Sequence, residues 1–420
     1  MMLSANKHAA RVPYPESLRS IMSIRCAEQS RQWLSQWRGI AHGATPLRAL
    51  PGLAARLGIA WLGVKDESQR SPLGSFKALG APVALLRQVL RLHPGFEPEA
   101  VLAGRYAGTL KDYTVISATD GNHGRALAAA ARDAGCRCVI VLHAQVSVER
   151  ERAIADCGAR IVRIAGNYDA SVAEAARLAA AHGWQVVSDT SYEGYEDIPR
   201  DVMQGYGVIA SELVEQADGA AGDPPYTHVF LQGGVGGLAA GIVSYLWEKY
   251  GARRPRFIVV EPVQADCLYQ SALAGRPAGA TGTVDSIMAG LACGEASPLA
   301  WRFLQDSVDD FMTITDDAAI EAMRTLAAGD CGDVPIVSGE SGAAGLAGLL
   351  VLLRDRALAG AAGLNAASRA LLISTEGATA PLVYEQCVGV PAASVLSRQQ
   401  KWRASVDTAG ISGCRAKTAC

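Results

Sequence analysis

The chain has 420 residues, half of them hydrophobic and 19% charged, with 39 basic against 41 acidic side chains and a formal net charge of −2. That length exceeds one average core and predicts two domains. The near-neutral balance excludes the long-range field that nucleic acid or an anionic membrane would require, and leaves small molecules as the expected partners.

Residues 1–40 have a mixed pattern and are expected to wrap a domain rather than form one. From residue 113 onward, β-branched and apolar runs alternate with alanine-rich stretches of helical spacing. Strands are predicted at 113–119, 136–143, 159–164 and 184–188, with helices at 124–134, 148–156 and 171–182 between them. Glycines close these helices. Such repetition implies a parallel sheet covered by helices. After the polar, Gly- and Pro-containing stretch 218–225, a second set begins. It comprises strands at 227–231 and 257–261, a helix at 237–250 between them, and a later strand at 370–374. The tail from 390 to 420 is polar and irregular, and is expected to fray.

No run is apolar enough to span a bilayer, and the first residues lack the apolar core of a secretory signal, so the cytoplasm is the expected compartment. Ten cysteines without metal-type spacing read as reduced, mostly buried thiols, and no metal is expected. Cys267 and Cys293 flank a candidate active-site segment, where either a redox or a packing role is open to them.

Three segments carry chemistry. Lys77 sits among small residues, Gly74 and Ser75 before it and Ala78, Gly80 and Ala81 after it. An aromatic aldehyde can approach such an amine, and desolvation is expected to lower its pKa toward the nucleophilic neutral form. The alternative is a solvated lysine on a helix surface. Gly233-Gly234-Val235-Gly236-Gly237 follows an apolar run and precedes a helical pattern, which frees backbone N–H groups to converge on a phosphate at a helix N-terminus. Its spacing is wrong for a dinucleotide, and a tight glycine turn is the plain alternative. Ser117-Ala118-Thr119-Asp120-Gly121-Asn122-His123-Gly124 joins a strand end to a helix start. Ser117, Thr119 and exposed amides there suit a substrate carboxylate, and Asn122 suits a cofactor ring. The competing role is an N-cap from Asp120 or Asn122. His123 reads as a packed or hydrogen-bonded histidine.

In this order, with Thr45-Pro46-Leu47 and Lys65-Asp66-Glu67 ahead of Ser75-Phe76-Lys77, the segments resemble the fold-type II pyridoxal-phosphate enzymes. Within that group the chain resembles the diaminopropionate ammonia-lyase family from about residue 37 to 388. The features that carry this are Asp120 before Gly121-Asn122-His123-Gly124, Ser188-Asp189-Thr190 followed by residues 192–199, Met203-Gln204-Gly205-Tyr206, and Ser338-Gly339-Glu340-Ser341-Gly342 ahead of Ser374-Thr375-Glu376-Gly377.

The resemblance implies an α/β fold of two domains, each with a twisted, mostly parallel sheet flanked by helices. Residues 1–85 with 215–390 would form the large cofactor-binding domain, 86–214 the small substrate-side domain, and 391–420 a polar tail. It implies pyridoxal 5′-phosphate as cofactor and a homodimer. Lys77 would form the internal aldimine, Asn122 would bond the phenolic oxygen, Gly233 to Gly237 would cradle the phosphate, and Thr375 would meet the pyridine nitrogen. Asp120 and Asp189 would bind a substrate ammonium or accept a proton, with Ser117 and Thr119 beside them, on D- or L-2,3-diaminopropionate. Capping or turn formation is the alternative for both aspartates. Glu340 either approaches the ring or holds a helix start. One departure stands out: Ala378-Thr379-Ala380 follow Gly377 where the family is expected to carry acidic residues. A serine or threonine dehydratase and a cofactor-binding pseudoenzyme are the competing functions.

Overall fold

The computed structural model describes residues 2–415 apart from 120, 145, 167 and 218–221, with the backbone alone at 169 and 407–415. In chain order the strands are β1 (Met2–Ala5), β2 (Leu47–Ala49), β3 (Trp61–Asp66), β4 (Thr114–Ala118), β5 (Arg137–Leu142) and β6 (Arg160–Arg163). They continue with β7 (Gln185–Val186), β8 (His228–Gln232), β9 (Arg256–Pro262), β10 (Asp310–Ile314) and β11 (Arg369–Ser374).

Two sheets result. The larger has seven strands in the order β1-β10-β9-β8-β11-β3-β2, and the smaller has four in the order β6-β5-β4-β7. All pairings are parallel except those of the edge strands β1 with β10 and β2 with β3. The central strands β8, β10 and β11 are buried nearly throughout, which explains their unbroken apolar runs: helices cover both faces. On the outer face of the small sheet, Ile116, Val139 and Val141 pack with Ala175 and Ala179 of the helix Tyr168–His182.

The elements expected from 113 to 261 and at 370–374 are present, with ends shifted by a few residues. Two expectations need correction. Part of the N-terminal segment is a sheet edge, since β1 registers Leu3 on Met312. The tail contains a helix, Ala392–Arg415. Val395 and Gln399 are buried on it, and Gln399 Nε2 donates to the Pro335 carbonyl at 2.7 Å, so one face is docked although most of the sequence is polar.

Three helices position the site: Lys77–Leu92, Asp197–Gln216 and Gly237–Tyr250. They cross at glycines. A Cβ on Gly205 would lie 2.2 Å from the Leu79 carbonyl oxygen, and one on Gly241 would lie 2.6 Å from that of Met203. Any larger residue would separate the helices. The middle helix is also anchored to β3 by a charged cluster. Glu212 accepts from Lys65 Nζ at 2.6 Å and from Arg70 at 2.6 Å, and Arg70 pairs with Glu67 at 2.8 Å, all of them at most 2% exposed. Lys65 and Glu67 therefore serve this anchor, while Asp66 between them pairs with Arg48 at 2.9 Å.

Candidate active site

Lys77 opens its helix from a rigid corner. The Phe76 amide donates to the Thr375 carbonyl at 3.0 Å, Gly377 donates to that of Gly74 at 2.9 Å, and Ser75 bridges Glu376. Gly74 makes the turn at φ +74°, a left-handed conformation that glycine takes without strain. The lysine thus emerges beside the C-terminal end of β11, facing residues that follow β4 and β7. This crevice beyond the carboxyl ends of parallel strands is the general location of ligand sites in such folds.

Lys77 Nζ stands 2.5 Å from Asp189 Oδ2. The two side chains are 18% and 23% exposed. Burial works against the ammonium, but the Asp189 charge outweighs it and holds Lys77 above the ordinary lysine value. For Asp189 burial opposes ionisation, and the charge of Lys77, together with its hydrogen bond, pulls the carboxyl well below the usual carboxylate range. The pair is therefore ammonium and carboxylate. This corrects the expectation that desolvation would leave Lys77 neutral: a carboxylate 112 residues away in sequence reverses the sign.

Behind this pair lie His123 and Tyr206. His123 is buried, and its Nε2 is 2.9 Å from the Val187 carbonyl oxygen, which places the ring proton on Nε2. Its Nδ1 lies 3.9 Å from Asp189 Oδ2 and has no hydrogen-bond partner among the described residues. Burial lowers its pKa, so the ring is neutral. The Tyr206 ring centroid is 5.7 Å from Lys77 Nζ, and its buried hydroxyl has no partner among the described residues. Its place follows from the glycine crossing, since a Cβ on Gly80 would strike the ring at 2.5 Å. Tyr206 belongs to a motif visible in the sequence, which gave it no role of its own.

The turn Gly233–Gly237 leads from β8 into its helix. Gly234 and Gly236 have φ of +65° and +96°, and the amides of Gly234, Val235 and Gly237 donate to no acceptor among the described residues. Several free N–H groups at a helix N-terminus form an anion cradle. The cradle rests on Glu261: a Cβ on Gly233 would lie 2.4 Å from Glu261 Cγ. Burial raises Glu261 to about 8, although it accepts from the Leu268 and Tyr269 amides. Cys267 Sγ donates to the Gly234 carbonyl at 3.4 Å, and Cys293 Sγ lies 3.6 Å from where a Gly234 Cβ would stand. Both sulfurs pack beneath the turn. The cradle approaches Lys77 through Asp189, whose carbonyl oxygen would be 3.7 Å from a Cβ on Gly237.

Of the loop between β4 and its helix, Asp120 lies outside the described residues. Asn122 does not cap the helix; its Nδ2 donates to Glu376 Oε2 at 2.5 Å. Ser117 is buried within β4, opposite Ile140, with its hydroxyl unpartnered among the described residues, whereas Thr119 is half-buried. Thr375 is buried, and its hydroxyl makes no hydrogen bond among the described residues. Glu376 and Glu340 form a buried acidic pair: burial first, and then Glu376, push Glu340 up to about 8, and Glu340 Oε2 has no partner among the described residues. The sequence gives Glu376 no role beyond its place in the motif with Thr375, because its contact with Asn122 spans 254 positions.

The donor set fits pyridoxal phosphate. There is an amine in a crevice, a cradle of free amides for a dianion, and a lone hydroxyl in Thr375 suited to a ring nitrogen. Among the described residues no cluster of metal-ligand type occurs, and no helix is long and apolar enough to cross a membrane.

Comparison with known proteins gives the same reading. Residues 40–375 match the family model described as pyridoxal-phosphate dependent enzyme. A diaminopropionate ammonia-lyase of Salmonella typhimurium is 40% identical over 357 residues, which is 83% of this chain and 88% of that protein. Its counterpart in Escherichia coli is 38% identical over 368 residues, covering 87% and 90%. A crystal structure of the Escherichia coli enzyme in complex with an aminoacrylate-PLP azomethine reaction intermediate superposes with a TM-score of 0.82 at 36% identity, over 92% of this chain and 96% of that one. The chain belongs to the pyridoxal-phosphate dependent enzymes and, within them, to the diaminopropionate ammonia-lyase family.

Proposed function

We infer that this chain, with pyridoxal 5′-phosphate bound, eliminates ammonia from 2,3-diaminopropionate. The enamine product, aminoacrylate, hydrolyses to pyruvate and a second ammonia, so one substrate and one water yield one pyruvate and two ammonia. The observation that carries this reading is the ionised Asp189 at 2.5 Å from Lys77, because a cationic diamine needs an anion beside the reacting amine.

Lys77 would hold the cofactor's aldehyde carbon, the Gly233–Gly237 turn its phosphate, and the Thr375 hydroxyl its ring nitrogen. When bound, the conjugated ring supplies a sink for the electron pair released at the substrate α-carbon. Asp189 binds a substrate ammonium or takes the α-proton, and Lys77 exchanges protons with it across their hydrogen bond. Neutral His123 packs beside Asp189 without competing for its proton, and the Tyr206 ring covers the amine on the core side. Asp120 serves one face of the α-carbon, and Lys77 or Asp189 the other; the half-buried Thr119 would bind the substrate carboxylate, with Ser117 buried behind it in β4. The chain is further proposed to act in the cytoplasm as a homodimer.

The test is release of 2-oxo acid from D- and L-diaminopropionate, serine and threonine by the cofactor-loaded protein. Turnover of at least one diaminopropionate isomer ahead of serine and threonine is expected. Lys77→Ala should abolish it and leave the fold intact. Faster serine turnover would make the chain a dehydratase, and no turnover of any of the four would make it a pseudoenzyme.

A further inference from the structure

Glu376 stands at the corner that carries Lys77 and takes no part in the proton transfers assigned to Lys77 and Asp189. It follows β11 of the large sheet, whereas Asn122 opens the helix Asn122–Ala134 that follows β4 of the small one, so their contact joins the two sheets at the site. Asn122 Nδ2 donates to Glu376 Oε2 at 2.5 Å, the Thr379 hydroxyl donates to the same oxygen at 3.2 Å, and the Ser341 amide donates to Oε1 at 3.3 Å. Both oxygens act as acceptors, and the end of the Asn122 side chain turned toward them is its NH2.

The carboxylate is held on other sides as well. Glu376 pairs with Ser75 in an antiparallel bridge two residues before Lys77, and its carbonyl accepts from the Gly339 amide at 2.9 Å. Its side chain packs against Gly339, where a Cβ would lie 3.1 Å from Glu376 Cγ. At 5% exposure, with three donors on its oxygens, it is not a group that a substrate ammonium reaches. Asn122, by contrast, is half-buried and has a second N–H on the same nitrogen.

We propose that Glu376 is a positioning residue for the cofactor: by accepting one Nδ2 proton of Asn122, it holds the other N–H toward the phenolic oxygen of bound pyridoxal phosphate. This rests on the reading of Asn122 as the group that meets that oxygen. A carboxamide can turn end for end about its last torsion, and would then present Oδ1, an acceptor, to an oxygen that also accepts. Glu376 opposes that turn, because Oδ1 would face a carboxylate oxygen at 2.5 Å and a charge-assisted hydrogen bond would be replaced by repulsion between two acceptors. The ring-binding amide and the corner bearing Lys77 are thereby fixed by one residue.

The experiment measures the affinity of the full chain for pyridoxal phosphate, read as visible absorbance of the bound cofactor, in a double-mutant cycle of Asn122→Ala and Glu376→Ala. Each single variant should bind about tenfold more weakly, as the loss of one charge-assisted contact requires. The double variant should bind no more weakly than Asn122→Ala, since without the amide the carboxylate has nothing to orient. Glu376→Gln keeps a carbonyl oxygen for Nδ2 and should recover most of the affinity, whereas Glu376→Leu fills the space without an acceptor and should match Glu376→Ala. Three results would overturn the assignment: unchanged affinity in Glu376→Ala, the same fold loss from Glu376→Ala with and without the Asn122 amide, or Glu376→Gln binding as weakly as Glu376→Leu. The second would mark Glu376 as support for its loop alone. Wild-type affinity in Asn122→Ala would instead take the amide away from the cofactor, and the proposal with it. Because cofactor binding is what is read, none of these outcomes depends on which amino acid the chain turns over.

Discussion

Replacing Asp189 by asparagine tests the pair on which the site turns. At 2.5 Å, and with an effective dielectric of about 20, the attraction between Lys77 and Asp189 is about 6–7 kcal/mol. Both ends are about a fifth exposed, and an asparagine oxygen can still accept from Nζ. A net loss of about 3 kcal/mol is therefore expected, equivalent to about two pKa units at Lys77. Removing the anion disfavours the ammonium, so the shift is downward. The assay follows the rate at which cofactor-free protein develops the visible absorbance of bound pyridoxal phosphate, measured across pH. Only the neutral amine attacks the aldehyde, so the rate rises as Lys77 deprotonates. The midpoint should fall by about two units in Asp189→Asn, with thermal melting as the control for folding. An unchanged or higher midpoint would show that Asp189 does not set the charge of Lys77.

Gly233→Ala would place a methyl 2.4 Å from Glu261 Cγ. Overpacking at this buried position should cost about 1–3 kcal/mol and loosen the phosphate cradle, read as a lower melting temperature together with faster loss of cofactor on dialysis. A variant that melts like wild type and retains cofactor would separate the cradle from Glu261. For Glu340, burial and the neighbouring Glu376 hold the folded pKa at about 8, above the ordinary glutamate value of 4.5. Its contribution to stability is fully present below that lower value and is lost as pH rises through about 8, since the unfolded chain releases the proton first. Urea unfolding at intervals between pH 4 and pH 9 should show a decline that flattens in Glu340→Gln; an equal slope in both proteins would mean that another group titrates.

The parallel sheets were legible because strands buried on both faces must be continuous apolar runs, as in β8 and β11, and because left-handed glycines mark where the helices stop. The unit of β8, glycine turn and helix 237–250 was readable for the same local reason. The C-terminal helix was missed because it buries only a narrow stripe, including Val395 and Gln399, on an otherwise polar surface. Trp61–Asp66 was passed over as a strand: its lysine and aspartate are not typical of a buried run, and only the Glu212 and Arg48 partners make them tolerable there.

By itself, the sequence determined the chemical inventory: a lysine among small residues, a glycine turn at a helix start, and two aspartates in a motif order shared with a family. Residue types and local spacing are enough for that, because propensity, turn chemistry and helix termini act over a few positions. The tertiary structure alone decided the charge state of Lys77, the engagement of Asn122 by Glu376, and the burial of Ser117 within its strand. Each depends on partners far apart in sequence and on how much water burial removes, and the free energy of a charge is set by those two quantities.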